Sequence, residues 1–377
     1  MLDLKGRQCR TAMRSEPPMG VEVEMGDTIT FACNGHETST SECIYFDMDD
    51  LPKTLRPGDQ IALNDGELGA VVLEVAETSM KVQIKESATI LPYKQIRIPG
   101  HRLSTLPILR PEDKSAIIDM AIKHKMDYIA IPNITSVKDV QEARLARGES
   151  GENLAIIAKI DNLEAVHQFE GILKYVDGII VLRNELSFEL MPEKLMLAQK
   201  WMIQTANMQS VPIFLQSQVL DTQVEGAATD ARQETSDISA AVLDGADAFI
   251  LSNETSVGQN PQGSAVLLAK AIAEAEQVYD HEKAFQEARQ VSKEEGKGVG
   301  VTDMLCSTAT QIALDNNVDL FICLTKTGKI ARYLARQRPE QLILCCSEFS
   351  SVVRQSNMVR GVIGYKVPAY LSKSFRC

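Results

Sequence analysis

From Pro111 onward the chain alternates nearly continuous apolar runs of strand length with amphipathic helical stretches, a rhythm that few folds accept. A helical pattern over Asp113 to Lys125 leads into the runs D-Y-I-A-I, L-A-I-I-A-K, G-I-I-V-L-R, V-P-I-F-L-Q and A-F-I-L-S. Strands this uniformly apolar are buried on both faces, and helices between them imply right-handed βαβ units around a parallel sheet. The predicted class is therefore α/β. A closed barrel and an open doubly wound sheet both place function at the carboxyl ends of their strands. Those ends carry Lys159 and Asp161, then Glu185, then Ser217, then Ser252 and Glu254. Polar groups at four successive ends favour the barrel. An open sheet concentrates its site at one switch point, and neither G-x-G-x-x-G nor G-x-x-x-x-G-K-[ST] is present to mark one.

The flanks read differently. Residues 12–98 hold short alternating or β-branched runs (V-E-V-E, T-I-T-F, Q-I-A-L, A-V-V-L-E-V, K-V-Q-I-K) separated by P-G-D, N-D-G and N-G-H, which predicts a compact all-β unit. A helix after Gln259 is expected to run on toward Arg289, and the soft stretch S-K-E-E-G-K-G-V-G marks a boundary near residue 290. Beyond it, D-L-F-I-C-L-T and Q-L-I-L-C-C predict two more buried strands in a smaller α/β unit. The expected organisation is a barrel domain from 1–11 and 99–289, a β domain over 12–98 and an incomplete α/β domain over 290–377.

A formal charge of -12 argues against nucleic acid or an anionic membrane as the main partner. The eight cysteines include no C-x-x-C pair and only five histidines accompany them, which argues against a zinc site. The first residues form no apolar signal region, and no run reaches the roughly 18 apolar residues of a membrane span. Reduced cysteines and a cytoplasmic location are the expectation.

Lys159 and Asp161 lie two positions apart, on one face of a strand. A lysine after an apolar run commonly just reaches solvent, and Asp161 and Glu185 each precede a helical segment that they could cap. A cation beside carboxylates is also how a site holds a divalent metal next to an anionic substrate. Asp161 and Glu185 are hard oxygen donors suited to magnesium, which takes one or two carboxylates and fills its remaining positions with water and substrate oxygens. A hydroxyl at Ser217 could relay a proton, or simply be a polar strand end. The turn T-K-T-G-K around Gly328 suits either an ordinary strand-to-helix connection or a phosphate at a helix N-terminus.

Ordered motifs along essentially the whole chain resemble the pyruvate kinase family. L-D-L-K-G-R-Q-C-R-T is similar to that family's L-D-T-K-G-P-E-I-R-T, I-I-A-K-I-D-N-L-E-A to I-I-S-K-I-E-N-x-E-G, and V-L-R-N-E-L to A-R-G-D-L-G. M-L-A-Q-K-W-M-I, A-A-V-L-D-G-A-D and I-L-S-N-E-T match L-A-Q-K-x-M-I, A-N-A-V-L-D-G-A-D and M-L-S-G-E-T. The resemblance implies a (β/α)8 TIM barrel with an inserted β-barrel domain and a C-terminal α/β domain. It also implies phosphoryl transfer from phosphoenolpyruvate to ADP, giving pyruvate and ATP, with magnesium and potassium. On that match Lys159 stabilises the transferring phosphoryl group and the enolate, Ser217 stands where a threonine is associated with protonating the enolate, and Arg10 falls near the phosphoryl group. Asp161 and Glu185 fall on the magnesium carboxylates, Asn184 and Glu185 on the substrate-contacting turn, and Asp3 on the potassium site.

This sequence also departs from the family pattern. Asp161 and Glu185 exchange the family's Glu and Asp, Asn184 replaces a glycine, and Pro132 and Asn133 replace a Ser-Phe pair. Leu4 replaces a potassium-site threonine, and Ile330 replaces a hydroxyl of the effector loop. The match begins at the end of the family's third barrel strand, so an open partial ring is expected rather than a closed one. Two functions follow: a divergent pyruvate kinase, or an impaired paralogue acting as a binding subunit. Either would form homo- or hetero-oligomers with pyruvate kinase chains.

Overall fold

The computed structural model describes residues 1–12, 20–33, 38–66, 68–98, 106–224, 231–294, 300–316 and 318–368. Most of the soft stretch expected near residue 290, and Cys377, fall outside the described residues. The chain forms two compact units, one of Met1–Leu4, Lys114–Arg183 and Pro192–Cys377, the other of Lys5–Asp113 and Asn184–Met191.

In chain order, β1 (Leu2–Asp3) belongs to the first unit. The second unit then supplies β2 (Cys9–Arg10), β3 (Val21–Val23), β4 (Thr28–Cys33), β5 (Cys43–Phe46) and β6 (Gln60–Leu63). It continues with β7 (Leu68–Val75), β8 (Ser79–Ile84), β9 (Ala88–Ile90) and β10 (Gln95–Ile96). The five runs read from sequence all appear as strands here. Four of them join β5 in a sheet of order β5-β4-β8-β7-β6, while the V-E-V-E run is β3, paired antiparallel with β9, and β2–β10 is a further antiparallel pair. Period-two alternation sends Ile29, Phe31, Ile61, Leu63, Leu68, Val72, Met80 and Val82 into one core.

The first unit resumes with β11 (Tyr128–Ile131), β12 (Ala155–Ile160), β13 (Gly178–Leu182), β14 (Ile213–Gln216) and β15 (Ala248–Ile250). With β1 these make a six-stranded parallel sheet in the order β1-β11-β12-β13-β14-β15. Every residue of β11, β12 and β13 is buried, which accounts for their unbroken apolar runs. Sequential order without a switch point is barrel topology rather than a doubly wound sheet. Among the described residues no pairing joins β1 to β15, so the ring is open, as the resemblance implies. At two residues β1 is a short edge that offers little ladder to a wrong partner.

Two helices differ from the sequence expectation. The one predicted over Asp113 to Lys125 is an α-helix over Pro111–Ala116 that widens into a π-helical turn over Ile117–Ile122. The long helix toward Arg289 is two helices, Pro261–Gln277 and His281–Glu294. Asp280 makes the break, because its carboxylate accepts the Lys283 amide at 2.9 Å as a new helix start. The C-terminal part adds β16 (Leu320–Leu324), β17 (Leu342–Ser347) and β18 (Val362–Lys366), parallel and in that order. Among the described residues no helix is long and apolar enough to cross a membrane.

Candidate functional site at the carboxyl ends of the strands

In the first unit, strand register builds the site. Asp3 pairs with Ala130 and Ala130 with Ile157, so these three share a row, and Lys159 stands two positions further along the same face. The apolar floor of that face is Tyr128, Ala130, Ala155, Ile157, Ile180, Leu182 and Phe214. Lys159 is only 5% exposed, and its Nζ donates to Asp3 Oδ2 at 2.5 Å across β11. A buried ammonium needs such a partner. The lysine that could have reached solvent instead points along a covered face.

Asp161, just past β12, is also buried. Its Oδ2 accepts the Asn133 backbone N–H at 2.8 Å and Asn133 Nδ2 at 3.2 Å, while Oδ1 accepts Asn162 Nδ2 at 2.8 Å. Asn133 does this from φ 55°, a left-handed conformation that asparagine tolerates. The Pro132–Asn133 pair that departs from the family motif thus supplies two donors to the carboxylate. Helix capping falls to Asn162, whose Oδ1 accepts the Ala165 amide at 2.8 Å. Asp161 is thereby spared the capping role that its position suggested.

Arg183 follows β13, and Ser217 follows β14, one strand further along the sheet. The Arg183 guanidinium is buried and donates from Nε to the Ser217 carbonyl at 3.1 Å, from Nη2 to the Gln218 carbonyl, and from Nη1 to Asp237. Sequence reasoning missed Arg183, although a charge ending an apolar run was its visible signal. Glu254, past β15, is fully buried and accepts the Ser252 amide at 2.7 Å and the Leu220 amide at 3.2 Å. Its role here is to pin two turns.

The second unit holds the remaining candidates. Glu185 lies in the short helix Arg183–Leu186 and forms an ion pair with Arg97, the two side chains being 12% and 14% exposed. Arg97 also stacks 4.9 Å above the Phe188 ring. That ring sits against Gly66, where an added Cβ would meet it at 2.5 Å and the backbone has φ +98°. Asn184 Nδ2 donates weakly to Glu185 Oε1 at 3.5 Å. Nothing in the sequence flagged Arg97, which is 88 positions from its partner. Arg10 sits in β2, with its Nη2 on Gln8 Oε1 at 2.7 Å and Nη1 on the Tyr93 carbonyl at 3.2 Å.

Among the described residues no three His, Cys, Asp or Glu side chains gather as a metal cluster. Magnesium needs fewer, and Asp161, held by amides that orient a carboxylate without discharging it, is a suitable hard donor. Glu185 is a donor only when it exchanges Arg97 for the metal. Potassium fits poorly: Asp3 already bonds Lys159, and the buried Leu4 beside it offers no side-chain oxygen.

A sequential parallel α/β sheet with charged and hydroxyl groups at its strand ends, joined by an all-β unit, defines a barrel-type enzyme scaffold. The family description "Pyruvate kinase, barrel domain" matches residues 1–265, and "Pyruvate kinase, alpha/beta domain" matches residues 303–376. The pyruvate kinase of Eimeria tenella is 31% identical over 370 residues, which are 98% of this chain and 68% of that protein. The crystal structure of Cryptosporidium parvum pyruvate kinase superposes with TM-score 0.90 at 32% identity, covering 99% of this chain and 78% of the other. The same enzyme in complex with ADP gives 0.87, covering 99% and 75%. The chain belongs to the pyruvate kinase family, a family of phosphotransferases that generally uses magnesium and potassium.

Proposed function

We propose that this protein transfers a phosphoryl group from phosphoenolpyruvate to ADP, giving pyruvate and ATP, and that Lys159 is its central residue. The observation that carries this reading is a buried ammonium at a strand end, held by one carboxylate and one residue away from another. Of its three donors, those not engaged by Asp3 can bond the phosphoryl oxygens as charge builds in transfer and then the enolate oxygen left behind. Ser217 is assigned the proton delivery that converts the enolate to pyruvate, and Arg10 a phosphoryl contact. Catalysis of this kind is positioning and charge stabilisation rather than covalent chemistry.

Asp161 in the first unit, and Glu185 with Asn184 next to it in the second, are each proposed as magnesium or substrate contacts by the family resemblance. A bound magnesium would neutralise phosphoryl-oxygen charge there. No step is assigned to potassium, given the poor donor set around Asp3. The domain organisation expected from sequence, homo- or hetero-oligomeric assembly with pyruvate kinase chains, and a cytoplasmic location belong to the same proposal. The described cysteines support the last of these, since Cys9, Cys33, Cys43, Cys306, Cys323, Cys345 and Cys346 are free thiols.

A coupled assay for magnesium-dependent pyruvate formation tests the reading. Lys159→Ala is expected to lower kcat by about 10³-fold or more, and turnover indifferent to that change would sink it. The Arg97–Glu185 pair favours a second reading, an impaired paralogue that binds as a hetero-oligomer subunit. For that reading, co-elution with a full-length pyruvate kinase is the measurement, and elution of the two as separate species would refute it.

A further inference from the structure

Ser217 and Gln218 hold left-handed backbone in succession, at φ 69° and φ 53°. Neither is glycine or asparagine, so each carries a Cβ penalty that persists only where the surroundings over-determine the conformation. One side chain bonds the carbonyls of both residues. Arg183 donates from Nε to the Ser217 carbonyl at 3.1 Å and from Nη2 to the Gln218 carbonyl, and its Nη1 is anchored on Asp237 in the helix Arg232–Asp244. At the far end of the same turn, the Leu220 amide is held by Glu254 Oε1 at 3.2 Å.

A guanidinium presents its donors in a rigid planar fork, so two successive carbonyls bound by one group have their peptide planes fixed relative to each other. A lysine ammonium at the same place could hold one carbonyl without fixing both planes. The Arg183 side chain is only 5% exposed, and Asp237 supplies the opposite charge that burial demands. Release of the two carbonyls would let both residues relax to negative φ, which rotates the Cα–Cβ bond of Ser217 and carries its hydroxyl elsewhere.

We propose that Arg183 is a positioning residue: its guanidinium clamps the 217–218 turn in the left-handed form that aims the Ser217 hydroxyl for proton transfer. The inference rests on the assignment of Ser217 as proton donor, and its test separates the two. Exchange of pyruvate methyl hydrogens with deuterated water, followed by proton NMR, reports enolate protonation apart from phosphoryl transfer. Amide hydrogen exchange over residues 217–220 reports the turn itself.

With Arg183→Lys, methyl exchange is expected to fall about tenfold or more, while the phosphoenolpyruvate KM stays within about twofold. Amide exchange over 217–220 should rise about tenfold while that of 213–215 holds. Adding Gln218→Gly to Arg183→Lys should recover much of the methyl exchange, because glycine adopts positive φ without the Cβ penalty. Asp237→Asn, which keeps the guanidinium and weakens its anchor, should show the same pattern at smaller amplitude, and it serves if Arg183→Lys does not fold. Unchanged amide exchange in both variants, or no recovery with glycine, overturns the clamp. If Ser217→Ala leaves methyl exchange intact, the Ser217 assignment and the aiming role fall together, yet a rise in amide exchange would still establish the clamp as a backbone device.

Discussion

Aspartates that flank the barrel strands are held differently at the two ends of the sheet. At the amino ends, carboxylates are neutralised by arginines: Asp247 by Arg338 at 3.0 Å, Asp127 by Arg354 at 2.8 Å, and Asp177 by Arg144 at 3.5 Å. Two of these aspartates also accept backbone amides, Asp247 from Ile213 and Arg360 and Asp177 from Ile156. The result is a set of latches that fasten strands to helices and to the C-terminal segment. At the carboxyl ends, Asp161 is oriented by the neutral amides of Asn133 and Asn162, and the cation Lys159 has a point charge on a flexible stem. An arginine discharges the carboxylate it pairs with, as Arg354 does on both oxygens of Asp127, whereas an amide aims it and leaves its charge for a ligand. The amino-end pairs fasten the sheet, while the proposed site lies at the other end.

Isosteric substitutions at the two ends should break this contrast most sharply. Asp247→Asn leaves the buried Arg338 without its counter-charge, and a loss of about 3–5 kcal/mol is expected in urea denaturation. The contrast fails if Asp247→Asn unfolds no more easily than wild type. Asp161→Asn keeps the size of the side chain but turns one of two buried acceptors into a donor facing a donor, so a smaller loss of about 1–2 kcal/mol is expected. Its manganese affinity, read by calorimetry as a stand-in for magnesium, should fall by about 10- to 100-fold. Undiminished binding would remove Asp161 from the metal site.

Arg97 sharpens the comparison, because it puts an amino-end style of pairing on a carboxylate assigned to chemistry. Removing the guanidinium leaves Glu185 half-desolvated and in want of a cation. Arg97→Gln is therefore expected to tighten manganese binding by about tenfold, or ~1.4 kcal/mol. Weaker or equal binding would show that Arg97 does not compete with the metal.

The smallest effect concerns pH at the amino end. Burial, and then the Asp127 carboxylate, hold the Tyr128 phenol above its ordinary value, and its hydroxyl donates to the Gln355 carbonyl at 2.7 Å. The folded state thus keeps a proton that the unfolded chain releases near pH 10. That stability is present below this pH and drains away as pH rises toward the higher folded value. Tyr128→Phe should cost about 1 kcal/mol at neutral pH and flatten the alkaline slope of the urea midpoint. An equally steep slope in the variant would assign the loss to other groups.

Much of the fold was legible because period and strand length are local properties. The run I-I-A-K-I reads as a strand buried on both faces, and its direction puts Lys159 and Asp161 at the same end as Ser217. The break at Asp280 was less legible, since Pro261–Gln277 and His281–Glu294 read as one amphipathic pattern until the Asp280 carboxylate is seen to cap Lys283. The candidate site divides in the same way. Residue types and strand ends named Lys159, Asp161, Glu185 and Ser217, but neither Arg97 nor Arg183.

By itself the sequence determined the α/β class, the order of the strands and which polar residue types stand at their carboxyl ends, because each depends on neighbours within a few residues. Only the tertiary structure decided which charge answers which. Asp3 meets Lys159 from 156 positions away, Arg97 meets Glu185, and Arg183 reaches the carbonyls of Ser217 and Gln218. Those pairings follow from desolvation: a group buried by the fold must take the partner that the fold brings within reach, and reach is a property of the folded chain.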